Sequence, residues 1–109
     1  MTFKAYQEAA KMTAQYPVIG EGYIYPLVGL AGEVGEVCEI IKKVHRDQNS
    51  VISEDTRTKL INELGDVLWY IATLATELEI GLDAVATINI SKLFSRMERG
   101  VIQGSGSDR

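Results

Sequence analysis

Two pairs of acidic residues are the part of this 109-residue chain best suited to chemistry. Glu33 with Glu36, and Glu63 with Asp66, each have an i, i+3 spacing inside an apolar pattern typical of a helix. This spacing places both carboxylates of a pair on one helix flank, so two such helices packed together would gather four carboxylates. Carboxylates this close repel one another unless cations neutralise them. Oxygen ligands without histidine are typical of Mg²⁺ or Mn²⁺, so the sequence predicts a magnesium site that handles phosphate.

A simpler interpretation is that these acids form a solvated helix face. Such a face would lie opposite the core and would carry lysines four residues from the acids. On a helical wheel both pairs instead border the apolar stripes of their helices, where a charge is costly unless it is paired or metal-bound. Glu39 continues the first spacing but is rotated toward solvent, so it could be a surface acid or an outer residue of the site.

A second group of polar residues lies near the end of the chain. Asn89, Lys92, Arg96 and Arg99 are spaced three, four and three residues apart, which puts them on one strip of a helix. Triphosphate requires cationic donors as well as metal ions, so we expect Lys92 and Arg96 to contact phosphate. A solvated basic face is the alternative for this strip. Tyr70, one turn past Asp66, could stack on a base or belong to the core.

Four helices and no strand are expected from the hydrophobic periodicity, which makes the fold all-α. The expected helices run from about Phe3 to Gln15, from near Pro26 to about Arg46, from the Ser53 cap to Leu78, and from the Asp83 cap to about Arg99. The two long central helices are joined by a short turn and should therefore lie antiparallel. Gly81 is expected to end the third helix. The apolar stripe expected on the third helix comprises Leu60, Leu64, Val67, Ile71, Leu74 and Leu78.

Other residues and the composition narrow the class of protein. A hydrophobic content of 46% argues against disorder, and a net charge of −4 argues against nucleic-acid binding. The single Cys38 is expected in the core of a reduced, cytoplasmic protein, whereas Trp69 is expected on the surface at a subunit interface. The longest apolar run, Val67 to Ala75, is too short to span a membrane. Gly29, Gly32 and Gly35 interrupt the second helix, which suggests either close helix packing or close approach of a ligand.

The ordered acidic pairs resemble those of the MazG-like all-α nucleoside triphosphate pyrophosphohydrolases. The similarity is carried by the segments GLAGEVGEVCEIIKK and NELGDVLWYIATLA, in which ExxE is followed by ExxD. The opening YQEAAKMTAQYP and the closing NISKLFSRMERGVIQGSGSDR are similar to short, single-domain, phage-type members. The resemblance therefore covers nearly the whole chain. It implies a MazG-like four-helix domain over residues 1–99. The Gly/Ser-rich composition of residues 100–109 predicts a mobile tail.

The resemblance also implies an activity and a set of site residues. Family members hydrolyse a nucleoside triphosphate between the α and β phosphates, giving a monophosphate and pyrophosphate. The residues implied as ligands of Mg²⁺, or of Mn²⁺ as a substitute, are Glu33, Glu36, Glu63 and Asp66. Those implied in substrate binding are Tyr70, Asn89, Lys92 and Arg96. Direct catalytic roles fall to Glu36, Glu63 and Lys92, with the choice of general base left open.

Substrate and assembly are less tightly constrained by the resemblance. Met97 stands where many relatives carry an aromatic residue, and an aromatic residue that is specific to certain relatives has no counterpart at Lys43, so the base pocket does not transfer directly. Some phage-type relatives favour a purine deoxynucleotide such as dGTP, and dimers paired into tetramers are common in the family. If phage-encoded, the protein would act in the host cytoplasm. The alternatives are a non-enzymatic helical partner-binding module and a di-metal redox bundle, which the lack of a Glu-x-x-His pair at His45 disfavours.

Overall fold

The four predicted helices are all present. A computed structural model describes residues 1–109, and its helices are α1 (Phe3–Thr13), α2 (Ile24–Asp47), α3 (Glu54–Glu77) and α4 (Leu82–Glu98). The long helices α2 and α3 pack against each other, and α1 lies against α3 and α4. The all-α prediction is therefore confirmed. No helix is long and apolar enough to cross a membrane.

The ends of the helices follow local capping signals, although not all of those expected. The Ser53 hydroxyl accepts a hydrogen bond from the Thr56 backbone N–H at 3.1 Å, which confirms it as the cap of α3. The prediction that Gly81 ends α3 is wrong, because Glu79 adopts the left-handed conformation (φ 58°) that closes this helix. Gly81 is instead the N-cap residue of α4. The prediction that Asp83 caps α4 is therefore also wrong, because Asp83 lies inside the first turn of the helix.

The small core of the chain lies where α1, α3 and α4 meet. Ala10, Ala72 and Leu82 form its buried centre, and Tyr6 and Trp69 pack against them. The expectation of an exposed Trp69 is therefore wrong. Helix α1 covers the side of α3 that carries this indole, whose Nε1 donates a hydrogen bond to Thr13 Oγ1 at 2.8 Å.

The side chain of Gln7 ties the first helix to the turn between the last two. Its amide nitrogen donates to Thr76 Oγ1 at 3.1 Å and to the Ile80 carbonyl at 2.9 Å. Its amide oxygen accepts from the Leu82 N–H at 2.8 Å. This side chain thus satisfies backbone groups at the end of α3 and the start of α4.

Half of the apolar stripe predicted for α3 is exposed within one chain. Leu64 and Leu78 are 55% and 46% exposed, and Val34 on α2 is 45% exposed. Cys38, expected in the core, is also exposed, whereas the nearby α2 residues Val37 and Ile40 are partly buried. Only 9 of the 109 residues are buried, so these two helices present an extensive apolar face without an intrachain partner.

The C-terminal segment folds back rather than extending freely. The Arg96 guanidinium donates a hydrogen bond to the Ser107 carbonyl at 2.7 Å, and Arg99 donates to the Arg109 carbonyl at 2.9 Å. Arg109 in turn donates to the Val101 carbonyl at 3.1 Å. These bonds hold the segment expected to be mobile against the end of α4.

Candidate metal centre

Three of the four predicted carboxylates meet between α2 and α3. Glu33 from α2 and Glu63 and Asp66 from α3 each place a carboxylate oxygen within 4.8 Å of the other two. We call these three residues the carboxylate cluster. The i, i+3 spacing on α3 and the antiparallel packing of the two helices bring them together. Oxygens this close can ligate one cation jointly, and hard divalent ions such as Mg²⁺ prefer an all-oxygen set.

Glu33 is the member whose charge is least well stabilised. Burial raises the pKa of its carboxyl, and the Asp66 charge and hydrogen bonding to Glu63 raise that pKa further. No lysine or arginine forms an ion pair with any of the three residues. A cation is therefore the natural neutralising partner for this cluster.

The fourth predicted ligand, Glu36, lies outside the cluster. It follows Glu33 by almost one turn on α2 and lines a neighbouring pocket together with Glu63. Its charge contributes, as the smallest of several causes, to the raised pKa of Glu33. Glu36 is thus near enough to influence the cluster electrostatically but is not one of its three members. Its role as a ligand or as a general base stays a prediction.

An apolar pocket lies one turn from the cluster, toward the start of α2. Its volume is about 420 Å³, and its lining includes Tyr25, Val28, Gly29 and Tyr70. Gly29 allows the Tyr70 ring to approach α2, because a Cβ there would lie 2.2 Å from the ring atom Cε1. Tyr70 was predicted either to contact a base or to join the core. Its ring lines this pocket, where a base could stack on it.

A cluster of aromatic rings fixes the orientation of Tyr70. Trp69 and Tyr70 meet edge to face with ring centroids 5.0 Å apart. Tyr16 packs edge-on against Trp69 and stacks on Tyr25 at 4.9 Å. Glu77 accepts a hydrogen bond from the Tyr16 hydroxyl. Burial, followed by this bond and the Glu77 charge, raises the pKa of Tyr16 to about 12.

The basic strip of α4 is not brought to the carboxylate cluster within one chain. Helix α4 packs on α1 and α3 and makes no packing contact with α2. Asn89 and Lys92 are exposed on α4, and neither contacts the three carboxylates through a hydrogen bond or an ion pair. Arg96 is only 5% exposed and is held by the Ser107 carbonyl. The substrate-binding roles of Asn89, Lys92 and Arg96 stay predictions.

Sequence reasoning missed two residues that border the site. Tyr6 on α1 lies close enough to Asp66 that, after burial, the Asp66 charge is the second cause raising the pKa of its phenol. Tyr25 shares the apolar pocket with Tyr70. Tyr6 is separated in sequence from the acidic pairs by a loop, so no local spacing could have linked it to the site. Tyr25 lies on α2 itself, about two helical turns before Glu33, and this spacing could have indicated that the two residues share a helix face.

Comparison with known proteins agrees with this arrangement of helices and carboxylates. Residues 26–101 match the model of the MazG nucleotide pyrophosphohydrolase domain. The matched segment contains all of α2, α3 and α4 except the first two residues of α2. The chain therefore belongs to the MazG nucleotide pyrophosphohydrolase family, as the ordered acidic pairs predicted.

A relative of similar length supports this assignment over nearly the whole chain. The Gene 37 protein of Mycobacterium phage L5 is 49% identical over 109 residues, an alignment that covers 95% of this chain and 96% of that protein. No solved structure matches the chain significantly.

Proposed function

We propose that this protein hydrolyses a nucleoside triphosphate between its α and β phosphates, releasing a monophosphate and pyrophosphate in a Mg²⁺-dependent reaction. The observation that carries the proposal is the carboxylate cluster, three oxygen ligands within 4.8 Å on the two helices that the family match covers. Mn²⁺ should substitute, because it shares the preference of Mg²⁺ for carboxylate oxygens.

The four acidic residues would divide the chemical roles. Glu33, Glu63 and Asp66 would hold the metal, with Glu36 completing the set or remaining free. The bound metal would supply a more acidic water molecule and charge stabilisation at the phosphate oxygens. The Glu36 carboxylate, or the Glu63 oxygen that does not bind the metal, would take the proton as the water oxygen attacks the α phosphorus. The bond from the α phosphorus to its bridging oxygen then breaks, and pyrophosphate leaves.

The apolar pocket next to Tyr70 supports a site for the base. A flat ring can stack on the Tyr70 phenol while the side chains of Tyr25 and Val28 exclude water. Its location one turn from the cluster leaves room for a sugar between the base and the α phosphate. Among the nucleotides, a purine deoxynucleotide such as dGTP is our preferred substrate.

We further propose that the active form is a symmetric oligomer, with a tetramer favoured over a dimer. The chain exposes 7860 Å² of surface, whereas a compact monomer of 12.0 kDa would expose about 6,000 Å². In such an assembly α4 of one subunit could reach the carboxylate cluster of another. Lys92, exposed on α4, would then contact phosphate in a neighbouring subunit's site, together with Asn89 and, once released from Ser107, Arg96.

A product analysis tests the proposed reaction. The protein is incubated with each of the eight canonical ribo- and deoxyribonucleoside triphosphates, with Mg²⁺ or with EDTA, and the products are separated by anion exchange. We expect monophosphate and pyrophosphate in equal amounts, only with Mg²⁺. A diphosphate with orthophosphate would contradict cleavage at the α phosphorus. No turnover of any nucleotide, and no change of stability with Mg²⁺, would favour a non-enzymatic partner-binding module instead.

A further inference from the structure

The groove between α2 and α3 continues past the carboxylate cluster into a polar pocket. This pocket has a volume of about 300 Å³ and lies on the side of the cluster away from Tyr70. Its lining includes Lys43 and Gln48 near the end of α2 and Thr56 and Lys59 in the first turns of α3. Glu63 belongs to both the pocket and the cluster, so the two adjoin.

We infer that this pocket, which we call the lysine pocket, binds the two terminal phosphates of the substrate and hence the pyrophosphate product. The inference rests on the proposed hydrolysis and adds to it the residues that receive the leaving group. Neither lysine is part of the acidic pairs or of the basic strip on α4, so the family's acidic motif does not point to them.

The cations of this pocket are available to a ligand. Lys43 forms no ion pair, whereas the adjacent Lys42 is paired with Glu39 at 2.7 Å. Lys59 is paired only with Asp55, at 3.3 Å in an exposed position where water screens the attraction. Two lysines from two different helices therefore line a common space. Their internal partners are exposed acids, Glu39 and Asp47 near Lys43 and Asp55 beside Lys59, whose attraction is screened by water. Phosphate oxygens accept hydrogen bonds from such groups more strongly than neutral acceptors do.

A neutral donor also borders the pocket. Thr56 is 4% exposed, and its hydroxyl donates a hydrogen bond to Gln48 Oε1 at 3.3 Å. The Ser53 hydroxyl donates to Thr56 in turn, at 3.0 Å. With its oxygen engaged in this way, the Gln48 side chain has an amide nitrogen with no acceptor in the protein. This nitrogen could donate to a phosphate oxygen.

The order of these features along the groove defines the direction of the substrate. The apolar pocket with Tyr70 comes first, the carboxylate cluster second and the lysine pocket third. A nucleotide with its α phosphate at the cluster would place its base on tyrosine and its terminal phosphates on lysine. The reverse direction would bury pyrophosphate in an apolar pocket without compensating donors, which is costly.

Pyrophosphate binding by the lysine pocket should depend on divalent cations. Glu36 and Glu63 also line the pocket, and their negative charges would repel phosphate. Mg²⁺ at the carboxylates would offset this repulsion. Binding of free pyrophosphate therefore probes the pocket without requiring turnover.

The test measures the dissociation constant of pyrophosphate by calorimetry, with Mg²⁺ present, for the wild type and for Lys43→Ala, Lys59→Ala and the double variant. Lys42→Ala is the matched control, because it removes a neighbouring lysine that already has an internal partner. We expect each pocket variant to bind pyrophosphate about tenfold more weakly or worse, as for loss of a charged hydrogen bond. The control should stay within about twofold. Lys43→Arg should retain most of the affinity, because it keeps the charge.

The outcomes separate this inference from the proposed reaction. If Lys43→Ala and Lys59→Ala bind pyrophosphate as the wild type does, or if the wild type binds none, the inference is overturned even when nucleotides are hydrolysed. If pyrophosphate binding falls in both variants and not in the control, the inference is supported even when no nucleotide is cleaved. Nucleoside monophosphate affinity, measured in the same way, should be unchanged in all variants, and a parallel loss would contradict a specific pyrophosphate site.

Discussion

The charges of the carboxylate cluster, Glu33, Glu63 and Asp66, repel one another. This repulsion should affect the stability of the protein even without a substrate. Their oxygens lie within 4.8 Å, and no basic side chain is paired with them. A folded chain without metal must keep these charges close together, whereas an unfolded chain separates them. Both pH and metal ions should therefore change the stability of the protein through this one site.

The pH dependence of stability follows from the raised pKa of Glu33. Its pKa in the folded protein is above the ordinary value of 4.5, so the folded state binds this proton more tightly than the unfolded state. The stabilisation is fully present below pH 4.5 and is lost as the pH rises through the folded pKa. In EDTA we expect Glu33→Gln to show a smaller loss of unfolding temperature across this window than the wild type. Glu21→Gln, an exposed loop variant, is the control, and parallel wild-type and Glu33→Gln curves would contradict the prediction.

Substituting single carboxylates should show which residues bind the metal and which residue acts as the general base. Asp66→Asn should weaken Mn²⁺ or Mg²⁺ binding by at least about tenfold and abolish most turnover. The protein should remain folded by circular dichroism, because the substitution relieves repulsion in the cluster.

If Glu36 is a ligand, Glu36→Gln should lose metal in the same way. Retained metal affinity with lost turnover would identify Glu36 as the base, and wild-type turnover would exclude it from both roles.

The helices illustrate which features of a fold are encoded locally. The Ser53 cap and the periodic apolar residues predicted the start of α3, and the acidic spacing predicted that three carboxylates would meet. Helix α3, however, carries two apolar sides, one with Leu64 and Ile71 and another with Trp69 and Ala72. Periodicity alone cannot decide which side α1 covers, and for this reason the prediction for Trp69 was wrong.

Contacts between distant parts of the chain account for the remaining differences. The three hydrogen bonds of Gln7 reach residues around the turn between α3 and α4, about seventy positions along the chain, and no local sequence pattern predicts them. The end of α3 at Glu79 required a non-glycine residue in the left-handed conformation, which is uncommon and therefore was not expected. The location of Arg96 likewise depends on how the C-terminal segment folds back.

The three glycines of α2 provide a prediction about helix packing. Gly29 faces the Tyr70 ring, whereas a Cβ at Gly32 or Gly35 would meet nothing within 4 Å. Gly32→Ala should therefore stabilise the chain by up to about 1 kcal/mol through helix propensity. Gly29→Ala should instead displace Tyr70 and be less stable than Gly32→Ala by about 1–3 kcal/mol. Urea unfolding measures both, and equal stability of the two variants would show that Tyr70 does not pack on Gly29.

The whole molecule is extended for a single chain, which supports the assembly proposed above. Its radius of gyration is 16.9 Å, whereas about 13 Å is expected for a compact chain of this length. Its surface exceeds that of a compact monomer by about 1,900 Å², which is in the range that one subunit buries in an obligate dimer. The excess includes the apolar residues Val34, Leu64 and Leu78, and on α4 Ile88 and Phe94.

Light scattering on active samples should therefore give a mass at least twice the 12.0 kDa of the chain, and four times that mass for the favoured tetramer. Leu64→Glu, which charges the exposed apolar face, should shift the protein toward the monomer, whereas Ile61→Glu tests whether the adjacent exposed position shares that face. An active species of 12.0 kDa would contradict assembly.

The proposed assembly also leads to a prediction about which subunit supplies Lys92 of α4 to a given active site. Helix α4 does not contact α2 in its own chain, so Lys92 can reach a carboxylate cluster most directly across a subunit interface. Asp66→Asn and Lys92→Ala subunits, each inactive alone, should then regain activity when unfolded together and refolded as mixed oligomers. With random pairing, half of the dimers are mixed and one of their two sites is intact, so about a quarter of the wild-type activity should return. Mixed oligomers confirmed by native mass spectrometry that show no recovery would instead place each active site within a single chain.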